Sequence, residues 1–164
     1  RLSSPPIDMD TEVRSGCDGT AGSSQTARRL LVIGSDTIVA CDGVIYGKPH
    51  DAATAATMLR RLQGRAHEVY SGLALVVGGA VSGAPGRVVF RGHRRTRVWL
   101  RPLSMRQIER YVATGEPLGK AGAYAIQGRG AVLVEQIEGD YTTVVGLPVP
   151  MLVDALAPLG VVLP

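Results

Sequence analysis

A chain of 164 residues and 17.2 kDa has room for one ordinary hydrophobic core and is short for two. Hydrophobic residues make up 45% and aromatics 4%, so Val, Leu, Ile and Ala must fill that core. Charges interrupt every apolar run before the ~18–20 residues of a spanning helix, so no membrane partner is expected, and Cys17 and Cys41, far apart in different contexts, fit a reducing compartment, the cytoplasm.

Residues 1–27 are rich in Ser, Gly, Thr and acidic groups and show neither helical nor strand period; Gly16–Thr26 reads as a loop. Leu30–Ile33 predicts a buried strand that small and polar residues, Gly34 to Thr37, break at a functional edge, before Ile38–Ala40. Asp42–Gly43 is a strong turn pair, and Val44–Tyr46 predicts a short returning strand. Asp51 caps a predicted helix through Leu62, with Ala52, Ala55, Ala56, Leu59 and Leu62 on its apolar face.

Val69–Val77 predicts a buried strand, Ala80–Gly86 a hairpin connection, and Val88–Phe90 and Thr96–Leu100 two further strands. Ser104 to Gln107 approximates a capping box for a second helix, which Thr114–Pro117 ends. Gly119–Gly130 is glycine-rich, Val132–Ile137 predicts a strand, and Met151–Leu156 a short helix. Strands alternating with helices predict an α/β fold with a mixed, twisted sheet and flanking helices.

The formal charge of +4 comes from sixteen Arg and two Lys, which makes the lysines the more informative cations. Both stand beside glycine, Lys48 after Gly47 and Lys120 after Gly119, where a compact ammonium on flexible backbone suits phosphate or carboxylate. Asp36, at the predicted strand edge, has two readings. It holds a divalent ion or orients a water, or it satisfies nearby backbone N–H groups. Arg65 is a candidate phosphate contact with His67 assisting, although a packed His67 is the simpler reading. Gln127 carries a paired donor and acceptor suited to a base edge. Asp140 is either a second carboxylate or part of an ordinary turn. No GxxxxGK[ST] or GxGxxG run is present. Cys17 and Cys41 lack zinc-site spacing. Arg91, Arg94, Arg95, Arg97 and Arg101 form a candidate backbone-binding patch, but aromatic interleaving is sparse and no stable nucleic-acid partner is expected.

Four blocks resemble the Maf-like nucleotide pyrophosphatase family: Ser35–Pro49, Leu62–Gly72, Ala113–Ala131 and Ile137–Pro150. With the sequence between them the resemblance spans roughly residues 30–157, and the AYAIQG and GLP wording is similar to the subgroup acting on dTTP and UTP. It implies a two-lobed cleft, often in a homodimer, and hydrolysis between the alpha and beta phosphates with Mg²⁺ or Mn²⁺. The products would be a nucleoside monophosphate and pyrophosphate, and the family is linked to septum formation. Asp36 matches the family's acidic residue, as proton acceptor and metal ligand. Lys48 matches its phosphate-site lysine, and Thr37 and Gln127 match positions of substrate selection. Arg65 and Lys120 complete the expected substrate contacts.

Members of the family open with a strand and a serine–proline–arginine–arginine signature, where this chain has Ser3–Ser4–Pro5–Pro6. Residues 1–29 are therefore expected to be an atypical or truncated segment ahead of a pyrophosphatase domain at 30–164. A relative that binds nucleotides without efficient turnover is the alternative expectation, and an Arg-rich nucleic-acid-binding module a more distant one.

Overall fold

The computed structural model describes residues 29–79 and 86–161. The expected loop at 16–26, most of the connection at 80–86 and Cys17 lie outside them. One five-stranded sheet runs in the order β2-β1-β3-β4-β5, from strands β1 (Arg29–Cys41), β2 (Val44–Tyr46), β3 (Ala66–Gly79), β4 (Arg87–Leu100) and β5 (Val134–Glu138). Each described pairing is antiparallel. Helices α1 (Ala52–Leu62), α2 (Met105–Val112), α3 (Tyr141–Val145) and α4 (Val149–Leu156) flank it. The α/β fold with flanking helices is the one expected.

Local chemistry sets the element ends. Asp42 and Gly43 both have positive φ, 51° and 76°, the backbone of a two-residue hairpin between β1 and β2. The Asp51 side chain accepts the Thr54 N–H at the start of α1. Ser104 and Gln107 complete the capping box of α2.

Two strand expectations change. The sequence suggested a break at Gly34–Thr37, yet β1 continues through it, because β3 pairs with it from Arg29 to Ala40. Likewise Val88–Phe90 and Thr96–Leu100 belong to one strand, β4, held along its length by β3. Cross-strand hydrogen bonding overrides the weak local preference of the intervening glycine and arginines.

The core follows the two-residue period of β3. Val69, Ser71, Leu73 and Leu75 are all buried, so one sheet face carries the packing. Val69 joins Val39, Cys41, Val98 and Leu100 against α1 and α2. Leu73 and Leu75 join Met151, Leu152, Ala155 and Leu156 of α4. Between these two apolar clusters β3 places a serine, Ser71, and that polar interruption is where the site lies.

Candidate active site

A cavity of about 210 Å³ opens at this seam. Its wall includes Ser35, Asp36 and Thr37 of β1, Lys48 after β2, Gly119–Ala121 and Tyr124–Gln127, and Val144–Gly146 at the end of α3. Five residues singled out from sequence, Asp36, Thr37, Lys48, Lys120 and Gln127, therefore meet in one place.

Asp36 stands in mid-strand, opposite Gly72, rather than at a strand end. It is nonetheless exposed, and β2, which pairs only with Val39–Cys41, does not reach it.

The two lysine segments are tied together. The Gly122 N–H donates to the Gly47 carbonyl at 3.1 Å. Gly122 adopts φ +71°, and a Cβ there would meet Val39 at 3.0–3.2 Å, so only glycine lets this turn settle on β1. The packing brings Lys120 to the same wall as Lys48, and both are exposed.

Helix α3 is fixed from its start. Asp140, its N-cap, accepts the Thr142 and Thr143 N–H groups and both threonine hydroxyls at 2.7 Å. Burial works against ionisation of Asp140, but these four donors outweigh it and hold its carboxyl below the ordinary range. Thr96 anchors the same turn, donating its hydroxyl proton to the Asp140 carbonyl at 2.8 Å. Asp140 is thus a structural cap, not a second acid of the cavity.

A five-residue helix leaves its last carbonyls without helical partners, and here side-chain hydroxyls meet them. Ser71 Oγ donates to the Thr143 carbonyl at 2.6 Å. Ser35 Oγ lies 2.7 Å from the carbonyl oxygens of both Gly146 and Gly72. Thr37 Oγ1 lies 2.7 Å from Ser71 Oγ and 3.5 Å from the Gly146 carbonyl.

The Gln127 loop is held by Glu116. Its carboxylate accepts the N–H groups of Arg129 at 2.9 Å and Gly130 at 2.7 Å, and the Tyr111 hydroxyl donates to it at 3.0 Å. The same hydroxyl accepts the Ala125 N–H at 3.1 Å, so both flanks of Ile126–Gln127 are tied to one acid–phenol pair. Burial disfavours the charge on Glu116, but the Arg129 and Gly130 N–H groups and the Tyr111 hydroxyl prevail and its carboxyl titrates low.

Arg65 does not join the cavity. Its guanidinium, just ahead of β3, pairs with Asp42 in the β1–β2 turn. Nor does His67 assist a phosphate contact. It is 2% exposed, its Nε2 is 2.7 Å from the Tyr124 hydroxyl, and burial lowers its pKa to about 4. Tyr124 in turn lines the cavity. In the arginine stretch of β4, Arg95 pairs with Glu68 at 2.8 Å, and Arg97 stacks 4.9 Å over the Trp99 ring.

Ser71, Thr143, Glu116 and Tyr124 went unassigned in the sequence. Ser71 left a faint signal, a hydroxyl in a run of buried Val and Leu; Thr143 and Glu116 act through backbone groups that no residue pattern reveals, and Tyr124 through a histidine 57 residues away.

The described residues contain no group of three or more His, Cys, Asp or Glu placed to hold a metal, and Asp36 is the one acidic residue among the described residues that line the cavity. Asp36 would be the residue to hold an ion of the Mg²⁺ kind, which is typically held by one or two carboxylates together with substrate phosphates.

The family model described as Maf-like protein matches residues 12–159. The chain belongs to the Maf-like protein family. Among its relatives is a protein of Moorella thermoacetica named dTTP/UTP pyrophosphatase, 55% identical over 131 residues, which are 80% of this chain and 64% of that one. Proteins with the same name from Pelotomaculum thermopropionicum and Dictyoglomus thermophilum are 50% and 49% identical, over 79% and 81% of this chain and 65% and 66% of theirs. The chain spans just under two thirds of the length of these relatives.

Proposed function

We propose that this Maf-like chain is a nucleoside triphosphate pyrophosphatase acting on dTTP and UTP. The observation that carries the reading is the convergence of Asp36, Lys48, Lys120, Thr37 and Gln127 on one cavity wall. The relatives named dTTP/UTP pyrophosphatase support the choice of substrate.

The chemistry needs three things, and the wall has a residue type for each. Asp36 accepts a proton from water as its oxygen attacks the alpha phosphorus. The alpha–beta bridging bond breaks with its electron pair leaving on pyrophosphate, and Lys48 and Lys120 offset the charge that collects there. Thr37 and Gln127 hydrogen-bond the base. A divalent ion, Mg²⁺ or Mn²⁺, would be held by Asp36 and supply further neutralisation of the phosphates. The cytoplasm, where free nucleoside triphosphates are abundant, is the proposed site of action.

Product analysis tests the bond. The purified chain with dTTP and Mg²⁺ is expected to release dTMP and pyrophosphate, resolved by phosphorus NMR. Release of dTDP and phosphate would overturn the reading. Binding of nucleotide without either product would identify a relative that has lost turnover.

A further inference from the structure

Ser71 is fully buried, at 0% exposure, and its hydroxyl has one proton to give. That proton goes to the Thr143 carbonyl oxygen at 2.6 Å, an atom that can only accept. Ser71 Oγ therefore faces Thr37 Oγ1, 2.7 Å away, with a lone pair. The reverse polarity would press two acceptors together at 2.6 Å. The Thr37 proton is thus committed to Ser71, and the other protein oxygen in its reach, the Gly146 carbonyl at 3.5 Å, is again an acceptor. What Thr37 offers the cavity is a lone pair.

We propose that Ser71 is a positioning residue for base selection: by holding the Thr37 proton it turns Thr37 into an obligate acceptor, which favours a base presenting an N–H over one presenting a lone pair. Uracil and thymine carry N3–H, whereas the N3 of cytosine is an acceptor and would face the Thr37 lone pair without a proton between them. Gln127, on the same wall, has an amide able to donate to one of the flanking carbonyls of the pyrimidine. Mismatched polar groups of this kind discriminate more sharply than a missing methylene does. The inference rests on the pyrophosphatase reading for what occupies the cavity.

The test measures affinity by calorimetry for the α,β-methylene analogues of dTTP and dCTP, with Mg²⁺, beside hydrolysis of dTTP and dCTP. In the unaltered chain the dTTP analogue is expected to bind at least tenfold more tightly. Ser71→Ala releases the Thr37 proton, and the ratio is expected to fall at least tenfold; thermal unfolding checks that this buried variant is folded. Thr37→Val, at the wall, removes the acceptor and is expected to cut the ratio equally, whereas Thr37→Ser keeps the hydroxyl and should hold the ratio within threefold. An unchanged ratio in folded Ser71→Ala or in Thr37→Val would overturn the proposal, as would loss of the ratio in Thr37→Ser, which would assign selection to the methyl group. A chain that binds the dTTP analogue but releases no pyrophosphate contradicts the hydrolase reading alone, and the affinity ratio still decides this one. A chain that binds neither analogue contradicts both.

Discussion

The Gly130 N–H donates to the Glu116 carboxylate at 2.7 Å, and the space around that bond admits no side chain. A Cβ on Gly130 would lie 2.3 Å from the Ala125 carbonyl and 2.5 Å from the Tyr111 hydroxyl. Gly130→Ala should therefore destabilise the fold by about 1–3 kcal/mol through overpacking, read from urea unfolding. Glu116→Ala leaves the loop N–H groups without their acceptor, and the KM for dTTP should rise about tenfold as Gln127 loses its fixed position. An unchanged KM would separate the loop from substrate binding.

His67 makes stability depend on pH. The unfolded chain takes up a proton at this residue near pH 6.5, the folded chain only near pH 4, because burial disfavours the charged ring. Between those values the unfolded state binds more protons, so stability falls as pH drops through that window, by up to about 3 kcal/mol. His67→Gln, which can still meet the Tyr124 hydroxyl but does not titrate, should remove that share of the decline. Urea midpoints at pH 7.5, 5.5 and 4.5 for both proteins provide the comparison.

Asp140 acts on the site through α3. Asp140→Ala removes an N-cap and should cost about 1–2 kcal/mol. It should also raise the KM for dTTP several-fold, since the carbonyls of Thr143 and Gly146 that seat Ser71 and Ser35 move with the helix. A loss of stability with unaltered kinetics would show that those carbonyls hold their places without the cap.

Arg65 gives the opposite expectation. Its ion pair with Asp42 is exposed on both sides, so Arg65→Ala should change stability by no more than about 1 kcal/mol and leave kcat/KM for dTTP within twofold. A tenfold loss would return Arg65 to the phosphate contacts that its sequence position suggested.

Most of the helix boundaries were legible in the sequence because each is written in a few adjacent residues. Asp51 and Ser104 cap as their neighbours suggest, and Asp42–Gly43 turns as such a pair does. The strands were less legible. Gly34 and the run Arg91–Arg95 look like breaks, yet they lie within long strands because β3 supplies hydrogen bonds to both neighbours. Asp36, Lys48 and Gln127 stood out by residue type, and the fold gathers them on one cavity wall. The residues that orient the site were hidden for a different reason. Ser71 and Glu116 act on a backbone carbonyl and an N–H group 72 and 14 residues away, at Thr143 and Gly130, and side-chain identity carries little record of such partners. Arg65 shows the converse, a cation with the right chemistry that a nearby carboxylate claims first.

The role of Asp36 is the most direct thing to measure. Asp36→Asn keeps the size of the side chain and removes its basicity. Single-turnover hydrolysis of dTTP with Mg²⁺ should slow at least about 100-fold, while the α,β-methylene analogue still binds through Lys48, Lys120 and Gln127. Turnover within threefold of the unaltered chain would contradict the assignment of Asp36 as the group that takes the proton from water.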